Sequence, residues 1–231
     1  MEQLINKKRS ELSASMMCSE LINLKDTLRI FEEEGIEHLH IDMMDGTFVP
    51  NFGLGVDYIR GLRKITNIPL DLHLMIKDPE YKLQWIGIKP TDMVSIHYES
   101  TYQVQRVLDW LEPYGCKRFL AINPATPVGV LEEVLDYIDG INLLMVNPGF
   151  AGQKIVPSTI KKAEKVANFL VRENREDIAI EVDGNITPEN GKILRALGAN
   201  IFVCGSSSIF QNGANSLKSN IKIIREFTTL R

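Results

Sequence analysis

The chain lacks several features that mark common classes of protein. Only three cysteines, Cys18, Cys116 and Cys204, occur in 231 residues, and none shares a Cys-x-x-Cys spacing with another. This argues against a disulfide framework and against a zinc finger. No apolar run approaches the roughly 18 residues that a membrane span needs. The net charge of −4 gives no basic excess for a phosphate backbone, so we expect neither a membrane nor a nucleic acid as partner.

The N-terminal segment also lacks an apolar stretch after its basic residues, which argues against a secretory signal and favours a cytoplasmic location. Apolar residues make up 44% of the chain and charged residues 24%, an ordinary balance for a globular protein. At this length an α/β barrel folds as one unit around one core. We therefore predict a single domain over residues 1–231, with residues 1–11 as an N-terminal extension.

Short β-rich segments alternate regularly with longer helical patterns along the chain. The predicted strands are Leu12–Met17, His38–Met43, Leu70–Met75, Met93–His97, Phe119–Ile122, Asn142–Val146, Ile178–Val182 and Ile201–Cys204. The predicted helices are Leu24–Glu34, Val56–Lys64, Pro79–Ile86, Gln103–Tyr114, Val128–Ile138, Ser158–Asn174, Pro188–Leu197 and Ser216–Phe227. Eight such units favour an α/β fold of the (β/α)8 TIM-barrel type. An open doubly wound sheet is the alternative, against which no Gly-x-Gly-x-x-Gly follows the first strand.

Two predicted strands each carry a histidine and an aspartate two residues apart. The pairs are His40 with Asp42 and Asp71 with His73, and Asp183 ends a third strand. Residues two apart on a strand share one face. An inward carboxylate or imidazole is costly unless it is paired or binds a metal. The sequence therefore predicts a metal site where these strands end.

Two imidazoles and two carboxylates suit zinc, iron(II), manganese or cobalt better than calcium or magnesium, which prefer oxygen ligands alone. We expect one such divalent ion on His40, Asp42, His73 and Asp183. Asp71 is left outside this set as a residue that orients an imidazole. For His38 and His97 the simpler interpretation is a hydrogen-bonded core histidine.

Glycine-containing segments follow the sixth, seventh and eighth predicted strands, at residues 147–153, 183–186 and 205–207. TIM-barrel enzymes commonly bind phosphate with the loops after strands 7 and 8, where backbone amides point at the anion. The alternative interpretation is that these are ordinary turns. A metal, a phosphate site and two carboxylates together indicate proton transfer next to a carbonyl group.

These residues resemble the ribulose-phosphate 3-epimerase family over about Ser13 to Phe210. The matching motifs are His40-Ile41-Asp42-Met43-Met44-Asp45-Gly46 with Phe48-Val49-Pro50-Asn51, Pro69-Leu70-Asp71-Leu72-His73-Leu74-Met75, Asn123-Pro124-Ala125-Thr126-Pro127, Val146-Asn147-Pro148-Gly149-Phe150-Ala151-Gly152-Gln153 and Glu181-Val182-Asp183-Gly184. Their order and spacing are highly specific. The resemblance implies a barrel of the ribulose-phosphate-binding type, a small sugar phosphate as substrate, and a homo-oligomer.

The resemblance also implies roles for individual residues. Asp42 and Asp183 would be the acid and base that invert C3 of a ketose phosphate through a 2,3-enediolate. Together with His40 and His73 they would hold the metal. The implied substrate-binding residues are Ser15, Met44, His73, Met75, Gly149, Phe150, Ala151, Gly152, Gly184, Asn185, Gly205 and Ser206.

The chain departs from the usual family pattern at three places. Asn185 stands where the family usually has glycine, and Leu144 stands where it usually has methionine. Met17 and Cys18, at the end of the first predicted strand, also differ from the residues that are common there in the family. These changes leave two substrates open. One is D-ribulose 5-phosphate, converted to D-xylulose 5-phosphate, and the other is D-allulose 6-phosphate, converted to D-fructose 6-phosphate. Less favoured are a noncatalytic sugar-phosphate-binding barrel and a metal-dependent aldolase on the same fold.

Overall fold

The structure, a computed structural model, describes residues 9–20, 22, 24–211 and 216–229. Within these residues eight parallel strands close into a barrel in chain order. The strands are β1 Glu11–Ser15, β2 His38–Met44, β3 Leu70–Met75, β4 Met93–His97, β5 Lys117–Ile122, β6 Gly140–Leu144, β7 Ala179–Asp183 and β8 Ile201–Cys204. The α-helices are α1 Leu24–Glu33, α2 Val56–Leu62, α3 Leu83–Ile86, α4 Val104–Leu111, α5 Ser158–Arg172, α6 Pro188–Ala196 and α7 Leu217–Thr228.

The predicted TIM barrel is confirmed, and the open doubly wound sheet is wrong because β1 pairs with β8 as well as with β2. The segment predicted as the fifth helix is a 3-10 helix, Val128–Tyr137. The first strand ends at Ser15 because the chain turns into a short 3-10 helix, Met16–Cys18. Most of the predicted extension, residues 1–8, lies outside the described residues.

The two faces of each strand have different surroundings. Residues such as Leu39, Ile41 and Leu72 point outward and are buried in the main apolar core. Their neighbours point into the barrel, where the N-terminal end is filled by Met93, Phe119 and other apolar side chains. The polar inward residues therefore lie nearer the C-terminal ends of the strands, the end at which TIM barrels carry their active sites.

Strand β6 begins two residues earlier than predicted, at Gly140. Glycine is a poor strand former, but here it makes room for a neighbour inside the barrel. A Cβ atom on Gly140 would lie 2.2 Å from Cε1 of Phe119. The large ring of Phe119 fills the space that a side chain on Gly140 would need. None of the helices in the described residues is long and apolar enough to cross a membrane.

Gly140→Ala should lower the free energy of unfolding by about 1–3 kcal/mol, because the added methyl group overpacks the barrel interior. Urea denaturation followed by circular dichroism measures the change. Gly61→Ala is the matched control, since a Cβ atom at that position of α2 meets nothing within 4 Å. That variant should be stabilised by roughly 0.5–1 kcal/mol. Equal stability of the two variants would contradict the packing argument.

Candidate active site

The register of β2 and β3 brings the two histidine–aspartate pairs together. In this parallel pairing His40 lies beside Asp71, and Asp42 lies beside His73. All four side chains are inside the barrel and buried, three of them completely. The polar pairs predicted from the sequence therefore form one cluster across two strands.

Asp183 at the end of β7 completes the cluster from the other side of the barrel. Nε2 of His40 lies 3.4 Å from Oδ1 of Asp42 and 3.6 Å from Oδ2 of Asp183. Nδ1 of His73 lies 3.6 Å and 3.3 Å from the same two oxygens. One potential metal-ligating atom from each of His40, Asp42, His73 and Asp183 thus lies within 4.8 Å of the others. These four residues are called the donor set, or donor cluster, below.

The donor set fits a divalent metal ion. Nε2 of His40 and Nδ1 of His73 are buried and have no hydrogen-bond partner, a costly state that coordination would relieve. Burial opposes ionisation of Asp42, but the adjacent His40 imidazole outweighs it and holds the pKa of Asp42 well below its usual range. The Asp42 carboxylate is therefore an anionic ligand at neutral pH.

The other nitrogen of His40 faces Asp71, at 2.5 Å from Nδ1 to Oδ2. Oδ2 of Asp71 also accepts a hydrogen bond from the Ser13 hydroxyl at 2.8 Å. Because a carboxylate only accepts, Nδ1 of His40 carries a proton, which leaves Nε2 as the nitrogen that a metal ion can bind. The predicted contact between Asp71 and an imidazole is confirmed, and the imidazole is that of His40. Burial and the Asp71 carboxylate raise the pKa of Glu181 well above its usual range.

The remaining two histidines do not belong to this set of four residues. His38 contacts Glu11 near the N-terminal end of the barrel, at 2.8 Å. His97 is fully buried, and its Nε2 lies 2.8 Å from Nε2 of His73. Burial lowers the pKa of His97 to about 4, so the ring is neutral at physiological pH. Both fit the interpretation of hydrogen-bonded structural histidines.

An open cleft of about 580 Å³, including solvent at its mouth, lies above the donor cluster. The predicted site residues that line it are Ser15, Asp42, Met44, Met75, Gly149, Phe150, Ala151, Gly152, Asp183, Gly184, Asn185, Gly205 and Ser206. His40 and His73 lie beneath its floor, fully buried. The Ser15 hydroxyl donates to Oδ2 of Asp42 at 3.2 Å. The structure therefore brings all the predicted residues to one end of the barrel.

The segment after β6 forms one wall of the cleft. Its backbone is tied to the β2 side, since Nδ2 of Asn51 donates to the carbonyl of Gly149 at 2.7 Å. Gln153 folds back on the same segment and donates to the carbonyls of Asn147 and Phe150. Phe150 itself is 51% exposed at the mouth of the cleft. This places an apolar ring where a substrate would enter.

The backbone conformation and the side-chain contacts of Asn185 show why asparagine can replace the glycine that is usual in the family. Its φ of +53° lies in the left-handed region, which asparagine tolerates better than most residues other than glycine. Its Nδ2 donates to the Ser207 hydroxyl at 3.0 Å, and its Oδ1 accepts from the Ile155 amide at 3.3 Å. The side chain therefore joins the three loops that follow β6, β7 and β8. The sequence did not predict the hydrogen bond between Asn185 and Ser207. The position of Ser207 next to Gly205 and Ser206, which were predicted to bind substrate, was its only indication.

The other departures also face the cleft. Met17, Cys18 and Leu144 line it, whereas Met145 is buried in the main core. The position on β6 at which leucine replaces the usual methionine therefore faces the cleft. Burial raises the pKa of the Cys18 thiol, so this side chain is an uncharged part of the wall.

Comparisons with known proteins agree with this geometry. The model of the ribulose-phosphate 3 epimerase family matches residues 11–210. A ribulose-phosphate 3-epimerase of Bacillus subtilis (strain 168) is 33% identical over 212 residues, covering 92% of this chain and 98% of the relative. One from Escherichia coli (strain K12) is 33% identical over 201 residues, covering 87% and 89%.

A solved structure shows the same fold at low identity. The 3-hexulose-6-phosphate synthase from Salmonella typhimurium superposes with a TM-score of 0.70 at 14% identity, covering 94% of this chain and 98% of that one. At this identity the likeness concerns the barrel alone. The family match and the two curated relatives each span most of the chain. The chain belongs to the ribulose-phosphate 3-epimerase family.

Proposed function

We propose that this chain is a metal-dependent ketose-phosphate 3-epimerase, an isomerase that converts D-ribulose 5-phosphate to D-xylulose 5-phosphate. The observation that carries the proposal is the cluster of two partnerless imidazole nitrogens and two carboxylates beneath an open cleft. The family membership supports the same reaction class. The chain would then act in carbohydrate metabolism, on pentose phosphates.

His40, Asp42, His73 and Asp183 would hold one divalent ion. The ion would be zinc, iron(II), manganese or cobalt, which accept mixed nitrogen and oxygen ligands. When bound, it offsets the negative charge that develops on the substrate as the C3 proton leaves.

Asp42 and Asp183 would transfer the proton. They reach the cleft from β2 and β7, on different sides of the barrel. One carboxylate removes the C3 proton, which leaves a planar 2,3-enediolate. The other returns a proton to the opposite face, so that C3 is inverted. The Ser15 hydroxyl, which donates to Asp42, orients that carboxylate.

The phosphate group would be held by backbone amides at Gly184, Asn185, Gly205 and Ser206. Among the described residues that line the cleft there is no lysine or arginine, so an anion would be bound by uncharged donors, of which main-chain N–H groups at glycine-containing loops are well suited. Gly149, Phe150, Ala151 and Gly152 would cover the substrate and exclude water. Met44 and Met75 form an apolar wall beside the metal ligands.

The five-carbon substrate is the better supported of the two alternatives. The curated relatives that span this chain carry the name ribulose-phosphate 3-epimerase. Assembly into homo-oligomers and the cytoplasmic location stay predictions of the sequence and the family resemblance.

Asp183→Asn and Asp42→Asn should each lower the rate of epimerisation by about 10²–10⁴-fold or more, because each removes one proton-transfer group. The assay follows formation of D-xylulose 5-phosphate from D-ribulose 5-phosphate by metal-replete protein, and deuterium incorporation at C3 in deuterated water reports removal of the proton. Asp57→Asn is the matched control, since Asp57 is almost fully exposed on α2 and should leave the rate unchanged. Wild-type protein that exchanges no deuterium with either substrate would overturn the proposed function.

Removal of the metal with a chelator should abolish exchange, and one equivalent of a suitable divalent ion should restore it. His40→Ala should bind far less than one equivalent, because it deletes one of four donors. Elemental analysis after dialysis measures this content. His38→Ala is the control, because His38 contacts Glu11 rather than the donor cluster. Equal metal content in both variants would contradict the assignment.

The ratio of kcat/KM for D-ribulose 5-phosphate to that for D-allulose 6-phosphate should exceed one. Leu144→Met, which restores the usual family residue in the cleft wall, should change this ratio by less than about tenfold, since the two side chains have similar volumes. Steady-state kinetics with both substrates provide the measurement. A ratio well below one would instead favour the six-carbon substrate.

A further inference from the structure

One residue of the donor cluster, His73, contacts a histidine that does not line the cleft. Nε2 of His73 and Nε2 of His97 lie 2.8 Å apart, in fully buried rings whose planes differ by 19°. Two neutral imidazoles can share such a contact only if one nitrogen donates and the other accepts. The choice decides which nitrogen of His73 keeps its lone pair.

Glu99 determines which of the two histidines donates the hydrogen bond between His73 and His97. Its Oε2 lies 3.2 Å from Nδ1 of His97. Its Oε1 accepts from the amide of Asn123 at 2.9 Å and from the hydroxyl of Thr126. Burial opposes ionisation of Glu99, but its contacts with His97, Thr126 and Asn123 outweigh it and lower the pKa of Glu99 to about 2. The carboxylate therefore only accepts hydrogen bonds.

The direction of the remaining hydrogen bonds follows in two steps. Nδ1 of His97 must donate to Glu99, so in the neutral ring Nε2 of His97 is the acceptor. Nε2 of His73 must then donate to it. In the neutral ring of His73 the lone pair is then on Nδ1, the atom that faces Asp42 and Asp183 and has no other partner.

We propose that Glu99 is a positioning residue that acts through His97 to set the tautomer of His73, so that Nδ1 of His73 is free to bind the metal. The inference rests on the proposed function, since it concerns the same metal site. On this proposal a buried carboxylate sets the tautomer of each of the two imidazole ligands. Asp71 sets the tautomer of His40 directly, and Glu99 sets that of His73 through one further ring.

The surroundings hold this chain of groups in place. The ring of Phe48 packs on His97 with centroids 4.7 Å apart. The buried ammonium of Lys162 donates to the carbonyl of Asn123 and so supports the loop whose amide binds Glu99. None of Glu99, His97 and Lys162 lines the cleft. A substitution at Glu99 therefore alters the metal ligand without changing a residue of the cleft wall.

Glu99→Gln tests the proposal, because glutamine keeps the shape but adds a donor. If its amide nitrogen faces His97, the ring must accept at Nδ1 and donate at Nε2, which reverses the tautomer of His73. If its oxygen faces His97, the amide nitrogen faces the N–H group of Asn123, and two hydrogen-bond donors then oppose each other. We expect zinc affinity, measured by competition with a chelator, to fall about 10–100-fold, as for other residues that orient metal ligands.

Two further readouts separate this role from a purely structural one. Long-range ¹H–¹⁵N spectra of the zinc-loaded wild-type protein should show protons on Nε2 of His73 and Nδ1 of His97, and Glu99→Gln should move or broaden both signals. At saturating zinc, the KM for the sugar phosphate should stay within about twofold of wild type. Glu80→Gln is the matched control, since Glu80 accepts from Thr101 and touches neither ring.

A double-mutant cycle keeps the proposal testable if Glu99→Gln lowers stability. His97→Phe keeps a ring against Phe48 but removes the acceptor for His73, so it should weaken zinc binding to a similar extent. Because Glu99 acts through His97, adding Glu99→Gln to His97→Phe should cause no further loss. Additive losses, unchanged tautomers or wild-type zinc affinity in Glu99→Gln would overturn the inference. Wild-type protein that binds no zinc or other divalent ion would instead overturn the proposed metal site.

Discussion

The structure depends on keeping several ionisable side chains buried inside the barrel. His40, Asp42, Asp71, His73 and Glu181 are all buried there, and an isolated charge in such surroundings would cost several kcal/mol. Each is therefore placed beside a group that it can contact through a hydrogen bond or an ion pair, or it is held in its uncharged form. Asp71 lies against His40, Asp42 lies between His40 and His73, and burial beside Asp71 raises the pKa of Glu181, which favours its uncharged form. The positions of the donor atoms follow from this pairing.

The sequence was sufficient to predict the strands that carry these groups, because the two-residue spacing of His40 and Asp42, and of Asp71 and His73, places each pair on one face. The three segments that it predicted for anion binding, after β6, β7 and β8, line the cleft. Strand β6 was placed two residues late, because Gly140 has no strand propensity and its place is set by the ring of Phe119. Packing between distant segments leaves no local pattern.

The network around Glu99 illustrates the same limit. Glu99 follows β4, Asn123 and Thr126 follow β5, and Lys162 belongs to α5. Nothing in the spacing of these residues indicates that a carboxylate, two loop groups and an ammonium converge behind His97. Only the closed order of the strands brings β3, β4 and β5 side by side. Asn185 is a similar case, because its left-handed backbone and its contact with Ser207 are visible only when the three loops meet.

The origin of the four donors has a consequence for how the chain folds. Three of them lie on the adjacent strands β2 and β3, and their partners come from the same local region. Asp183 arrives from β7, after three intervening strands and their helices. A chain folded only through its first half carries an incomplete donor set, whose two imidazoles lack the second carboxylate. The complete set therefore forms only when β7 is in place, so tight capture of an ion would report that the barrel has assembled through β7.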